Sequence, residues 1–390
     1  MMFMKRVYLD NSATTRVSEE VYEAMAPYFI ERFGNASSLH TSGREAREAV
    51  EKAREQVAGS IGADNREIIF TSGGTESDNI ALTGTAIANR KKGNHIITSN
   101  IEHAAVYETC QHLESIGFRV TYLPVDSEGI VKVEALESSI TPETTLISVM
   151  HINNEIGTVQ PLNEIAEIAD KKGILFHTDA VQSPGKVRLD VDDLGVDMLS
   201  LSGHKVHGPK GSGALFVRKG TKVKGIMYGG GQERTLRSGT ENVPGIVGMG
   251  QACEAAARDL DRNAEIMRSL RDRLMNGILK MEHVRLNGHM TQRSPNNVNV
   301  SFSFVEGESL LLLLDMKGIE VSTGSACSAK DLEASHVLLA LGMTPEDAHG
   351  SLRFTNSHYN TREEIDYVLE TLPGIVGRLR EMSPLYNTAK

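Results

Sequence analysis

The chain has 390 residues, 40% of them hydrophobic and 24% charged, with a formal net charge of −10. That acidic balance excludes a general binder of nucleic acid or of anionic membrane, since neither polyanion attracts such a surface. The length is too great for one small core, so a large domain plus a smaller one is expected.

In chain order, the N-terminal MMFMKRVYLDNSATT turns polar too early for a secretory signal. Val7 to Leu9 reads as a strand, and Asp10-Asn11-Ser12 as a turn. Arg44 to Ile61 reads as a helix with Ala46, Ala49, Val50, Ala53 and Val57 on one face and Gly62 as its stop. Strands and helices then alternate. Strand Glu67 to Thr71 leads into helix Thr75 to Arg90, and strand Ile96 to Ser99 into a helix near His103 to Ile116. Strands Phe118 to Leu123 and Thr145 to Met150 follow, then helix Leu162 to Lys171, which has Pro161 at its first turn and Gly173 after its end. Strands Ile174 to Thr178, Met198 to Leu201 and Ala214 to Val217 complete the series. Such alternation predicts an α/β fold with a mostly parallel central sheet covered on both faces. Ligands of such sheets bind beyond the carboxyl ends of the strands.

After Pro244 a long helical stretch runs towards Lys280 and links to a segment of different texture. Asn297 to Phe304 alternates with period two, Leu310 to Leu314 is a buried helix or strand, and Ile319 to Val321 is a strand. Thr361 with Glu364 makes a capping box for a helix carrying Ile365, Val368, Leu369 and Leu372. The expected division is a large domain, 15–255, and a smaller α+β domain formed by 1–14 with 256–390. No apolar run approaches the ~18 residues of a membrane span.

The polar clusters fall at strand ends. Ser72-Gly73-Gly74-Thr75 joins a strand to a helix N-terminus, where free N–H groups suit a phosphate, although many such turns need glycine for geometry alone. His103 follows another strand. Asp179, with Gln182 three residues on, ends a buried strand, and a carboxylate there requires a cationic or donor partner. His151-Ile152-Asn153-Asn154-Glu155 is either a ligand shell or a turn. Ser202-Gly203-His204-Lys205 ends the strand Met198 to Leu201. Together these supply a lysine for a Schiff base, an acid for a pyridine nitrogen, a phosphate cup and a flat group over a ring, the requirements of pyridoxal phosphate. Three cysteines, Cys110, Cys253 and Cys327, form no C-x-x-C pair, which gives neither a disulfide framework nor a zinc site, and a reducing cytoplasm fits. Cys110 and Cys253 read as buried small hydrophobes; Cys327, in the small-residue stretch STGSACSAK, reads as an accessible thiol.

The strings FGNASSLH, TSGGTESDN, HINNEIGTVQP, HTDAVQ, SGHKVHGPKG, GGGQERTLRSGTENVPG and STGSACSA stand in that order, with Glu102-His103 between the second and third. From Tyr8 to about Tyr386 the chain resembles the NifS/IscS-type cysteine desulfurases, class V aminotransferases of fold type I. The resemblance implies pyridoxal 5′-phosphate held covalently by Lys205. Asp179 would face its ring nitrogen, Gln182 its ring oxygen and His103 its ring face. Gly74, Thr75, Ser202 and His204 would cup its phosphate, and Thr240 would reach the phosphate of a neighbouring subunit, so a homodimer is implied. Asn154 also belongs to the implied cofactor shell, and with Arg353 it would hold the carboxylate of L-cysteine. Lys205 would move the Cα proton, with His103 as a further acid or base. Cys327 would attack as thiolate, take the sulfur as a persulfide and release L-alanine. Its sulfur would pass to an acceptor, chiefly an iron–sulfur scaffold protein, and Cys327 could also be a ligand of a shared cluster. The long loop around Cys327 sets the chain apart from selenocysteine-specialised relatives and argues against a transaminase. An intact Lys205 and His204 argue against an inactive binding subunit. The chain ends soon after Tyr386, earlier than Isc-type enzymes whose C-terminal extension helps dock the scaffold.

Overall fold

The computed structural model describes residues 6–323, 334–384 and 386. Its main sheet has seven strands: β2 (Ile68–Thr71), β3 (His95–Ser99), β4 (Arg119–Leu123), β5 (Thr144–Ser148), β6 (Leu175–Asp179), β7 (Met198–Ser202) and β8 (Gly213–Val217), in the order β2-β8-β7-β6-β5-β3-β4. All neighbours pair in parallel except β8, which runs antiparallel to both β7 and β2. Two reversals cancel, so β2 ends at the same edge as β3, β5, β6 and β7. The central strands β5 and β7 are buried at every residue, as expected where helices cover both faces.

Four further strands and the N-terminal one lie outside this sheet. β1 (Val7–Tyr8) pairs in parallel with β11 (Ile319–Glu320). β10 (Asn297–Phe302) lies between β9 (Val284–Asn287) and β12 (Ser351–Thr355), antiparallel to both. Val7, Leu9, Val298, Val300, Leu352 and Phe354 share one core with the helices Gly307–Asp315 and Arg362–Met382. Leu310 to Leu314 is therefore helical, and the Thr361–Glu364 capping box is present.

Two expectations change, and one strand gains a buried second face. The helix from Thr75 to Arg90 is interrupted: Gly74–Asn79 is α-helical, Ile80–Gly84 widens into a π-turn, and Thr85–Asn89 is α-helical again. Gly84 marks the spot, since a Cβ there would stand 2.4 Å from the Lys224 carbonyl oxygen. The stretch towards Lys280 is two helices, Val243–Arg258 and Leu260–Ile278, separated at Asp259. The polar face of β10 is not solvated: Asn297 and Asn299 donate from Nδ2 to the Glu155 carbonyl at 3.0 and 3.1 Å, so all six residues are buried. Period two revealed the strand but not what its second face meets.

One buried ion pair shapes the loop that precedes Thr240. Arg54, on helix Thr41–Ser60, grips Glu233 with two bonds of 2.7 and 2.8 Å, and Glu233 also accepts from Phe70 N at 2.8 Å. Both side chains are buried. Glu233, Arg234 and Thr235 have φ of 43°, 55° and 66°, three consecutive left-handed non-glycine residues that need such outside support. Removing one partner of a buried pair strands the other charge. Arg54→Met is expected to lower the unfolding free energy by about 3–5 kcal/mol. Arg54→Met with Glu233→Leu should recover part of that loss, and denaturant unfolding of the three proteins checks both statements.

Candidate active site

The strand ends gathered by the parallel sheet open onto one cavity of about 300 Å3. β2 delivers Gly74 and Thr75; β3 delivers His103; the loop after β5 delivers Asn154; β6 delivers Asp179 and Gln182; β7 delivers Ser202, His204 and Lys205. Ser12 and Ala13, after β1, and Arg353, on β12, close it from the other side. Every expected site residue in the described part of the chain lines this cavity except Thr240, which is exposed. Cys327 lies outside the described residues.

Lys205 ends a 3-10 turn directly after β7. Its Nζ donates to the carbonyls of Ser12 at 2.5 Å and Ala13 at 2.9 Å. Gln182 Nε2 donates to the same Ser12 carbonyl at 3.1 Å. That carbonyl is held in place because Ser12 N donates to Thr355 Oγ1 at 2.9 Å. Gly74 is required by close approach, since a Cβ would lie 2.6 Å from Val181 Cγ2.

His103 caps the helix Ala104–Ser115, its Nδ1 accepting from Ala105 N at 3.1 Å. A neutral ring so engaged carries its proton on Nε2. Burial lowers the His103 pKa, and the Lys205 amine adds to the effect, so the ring is neutral near pH 7. Burial also pushes His204 down to about 4.

Asp179 is buried, and burial raises its pKa against the opposing pull of His103, the Val181 N–H and Lys205. Val181 N donates to Oδ1 at 2.9 Å. No ion pair to Asp179 forms among the described residues. A carboxylate at the floor of a cavity with a single backbone donor calls for a cationic N–H. A protonated pyridine nitrogen meets that demand, and an imine-forming amine, a glycine turn and hydroxyls stand around it. The donor set fits pyridoxal phosphate.

Arg353 donates from Nη1 to the Asn154 carbonyl at 3.0 Å and from Nη2 to Asp10 Oδ1 at 2.9 Å, while its buried Nε has no partner among the described residues. The guanidinium is thus held flat beside Asn154 with donor capacity left over.

The sequence reading gives two acids no role, although Asp78 lies inside TSGGTESDN and Glu102 is named beside His103. Asp78 is buried, with Oδ1 unpartnered, and stands 3.6 Å from His177 Nε2. His177 is pressed down to about 3 by burial and bonds Ser148 and Ser200 at 2.9 and 3.0 Å, so it is neutral and offers no countercharge. Burial, then the nearby Asp179, raises the Asp78 pKa well above the carboxylate range. Glu102 accepts from Ser99 Oγ at 2.5 Å and Met150 N at 3.0 Å, leaving Oε2 without a partner. An unpaired acid before a catalytic candidate is visible in sequence only if its burial is known.

Burial pushes Glu102 from its ordinary 4.5 up to about 8. The folded chain therefore binds this proton more tightly than the unfolded chain. Its contribution to stability is full below the unfolded value and is lost as pH rises through about 8. Glu102→Gln keeps the neutral shape and removes the titration. Its melting temperature should fall less than that of the unaltered protein between about pH 6 and pH 9. Equal falls in the two proteins would contradict a buried, protonated Glu102.

Cys110 and Cys253 are buried, and burial raises both thiols, Cys253 to about 12. Both are inert packing groups. No helix among the described residues is long and apolar enough to cross a membrane.

Comparison with known proteins places this geometry. The aminotransferase class-V family model matches residues 7–368. The cysteine desulfurase IscS of Methanosarcina thermophila is 56% identical over 381 residues, covering 98% of this chain and 94% of that protein. A solved NifS-like protein superposes with a TM-score of 0.91 at 43% identity, covering 96% of this chain and all of that one. The structure of SspA in complex with cysteine superposes with a TM-score of 0.81 at 38% identity, covering 91% of this chain and all of that one. The chain belongs to the class-V aminotransferases and, within them, to the NifS/IscS-type cysteine desulfurases.

Proposed function

We propose that the cavity holds pyridoxal 5′-phosphate and L-cysteine, and that the chain removes the sulfur as a persulfide on Cys327 and leaves L-alanine. The observation that carries this reading is the meeting of Lys205, Asp179 and His103, from the ends of β7, β6 and β3, with Arg353, from within β12, around one space. In this reading a large domain of 15–255 faces a smaller one formed by 1–14 with 256–390, which contributes Arg353 and Cys327.

Bound there, the cofactor supplies an electron-withdrawing ring that acidifies the substrate Cα–H and weakens its carbon–sulfur bond. The residues do the rest. Lys205 Nζ is the amine that would attach the cofactor and, when freed, the base that holds the Cα proton. Asp179 would accept the ring N–H, and Gln182 would donate to the ring oxygen. Gly74, Thr75, Ser202 and His204 would receive the phosphate. His103 would stack on the ring and offer its Nε2 proton. Arg353 and Asn154 would orient the substrate carboxylate, which a guanidinium fork matches. Cys327 attacks the substrate sulfur as thiolate. A sulfur–sulfur bond forms as the carbon–sulfur bond breaks, and the released electron pair ends in a C–H bond of alanine.

A homodimer is supported by the apolar side chains of Tyr22, Phe29, Ile30, Phe33 and Leu39, all exposed along one short stretch. Thr240, exposed on its supported loop, would reach the cofactor phosphate of the partner. The sulfur acceptor we propose is chiefly an iron–sulfur scaffold protein, in the cytoplasm. Cys327 would be the place of transfer and of any shared cluster ligation.

The test is direct. The reconstituted protein with L-cysteine should yield alanine and, with a thiol reductant, equimolar sulfide. Lys205→Ala should lose visible imine absorption and at least about 10²–10⁴-fold in rate. Cys327→Ala should stay yellow and form no protein persulfide. Full sulfur transfer by Cys327→Ala, or pyruvate as the product, would overturn the reading.

A further inference from the structure

Lys205 lines a second cavity, of about 430 Å3, which shares no other lining residue with the first. Its walls come from Pro184–Lys186, from His207, from the break between the helices Val243–Arg258 and Leu260–Ile278, and from the segment after β12. The catalytic reading uses none of these groups apart from Lys205.

The charges around it are mostly settled. Arg258 is paired with Glu20 at 3.0 Å and Asp259 at 2.9 Å, and Arg262 with Asp259 at 3.4 Å. His207 is neutral, pressed down to about 4 by burial, with Nδ1 3.0 Å from the Arg16 carbonyl oxygen. Two groups are not settled. Lys186 is 7% exposed, and its Nζ has no hydrogen-bond partner among the described residues. Asn356 is 2% exposed; its Nδ2 donates to the Met267 carbonyl at 3.2 Å, but its Oδ1 has no partner among the described residues. A buried ammonium and a buried amide oxygen left so are each unfavourable, and both are relieved by a ligand that brings an acceptor and a donor. His207, His358 and Tyr359, which line the same cavity, pack ring against ring with centroids 4.2 to 5.1 Å apart. The volume lies in the range of small-molecule sites.

We propose that this second cavity binds a small α-amino acid, its carboxylate received by Lys186 and its ammonium by Asn356 Oδ1. The substrate and product of the proposed reaction are both of this class, so the choice of probe rests on that reading. Lys186 and Lys205 repel each other, and that repulsion, after burial, helps hold Lys186 down at about 7. A carboxylate beside Lys186 offsets the repulsion. Occupancy of the second cavity is thereby linked to the protonation of the Lys205 amine, and the linkage is reciprocal.

The experiment is calorimetric titration of the holoenzyme with L-alanine, followed in parallel by cofactor absorbance. Two binding events per chain are expected, one that changes the absorbance and one that is silent. Lys186→Met should abolish the silent event and keep the other, Lys186→Arg should restore it, and Asn356→Ala should weaken it at least tenfold. Arg353→Met should do the converse, weakening only the absorbance-linked event. Lys186→Met should melt no lower than the unaltered protein, because it removes a buried amine left without a partner among the described residues. A silent event missing from the unaltered holoenzyme, or surviving Lys186→Met with its affinity intact, overturns the proposal. Loss of the absorbance change alone, with the silent event intact, would count against the desulfurase reading and not against this one.

Discussion

Burial of carboxyl groups at the carboxyl edge of the seven-stranded sheet is the constraint on which the site depends. Asp78, Glu102 and Asp179 all sit in that layer, and burial raises the pKa of each. Asp78 and Glu102 are opposed only by hydrogen bonds, from Ser200 and from Ser99 and Met150, whereas Asp179 is also drawn down by the nearby His103 and Lys205. Carboxyls that share a poorly solvated region do not all ionise together. The layer can therefore hold its negative charge on Asp179, while Asp78, which lines the same cavity, and Glu102 stay protonated. A cationic ring nitrogen arriving at Asp179 then meets a single committed charge.

The parallel topology is what makes this layer. Because β8 reverses twice, β2 ends alongside β3, β5, β6 and β7, and five loops reach one place. Each loop brings a different chemistry: a glycine turn, an imidazole, an amide, a carboxylate and an amine. The strands beneath are shielded from solvent, with β5 and β7 buried along their whole length. Precision at the site is borrowed from that rigidity.

Much of this was legible in the residues. The alternation of strand and helix gave the α/β layering, and the polar strings gave the cavity, since every described candidate but Thr240 lines it. What escaped is what a period cannot carry. Asn297 and Asn299 look like a solvated strand face but bond the Glu155 backbone across the fold. The helix from Gly74 opens into a π-turn because Gly84 lies against Lys224, a partner 140 positions later. The break at Asp259 has no glycine or proline beside it to announce it. Lys186 reads as an ordinary loop lysine until its burial and its missing partner are known.

The small sheet reaches the reactive amine through a chain of named bonds. Thr355, on β12, holds Ser12 by its amide, and the Ser12 carbonyl receives both Lys205 and Gln182. Two residues earlier on the same strand, Arg353 holds Asp10 and Asn154. The groups that would read the substrate carboxylate and the groups that fix the Lys205 amine thus hang from one strand. A movement of β12 that improved the grip of Arg353 on a carboxylate would shift Thr355, and with it the carbonyl that competes for Nζ. In the proposed reading, engagement of a substrate carboxylate and release of the lysine from Ser12 would be two ends of the same element, which is a physical reason for the small sheet to take part in the candidate site rather than only cover it.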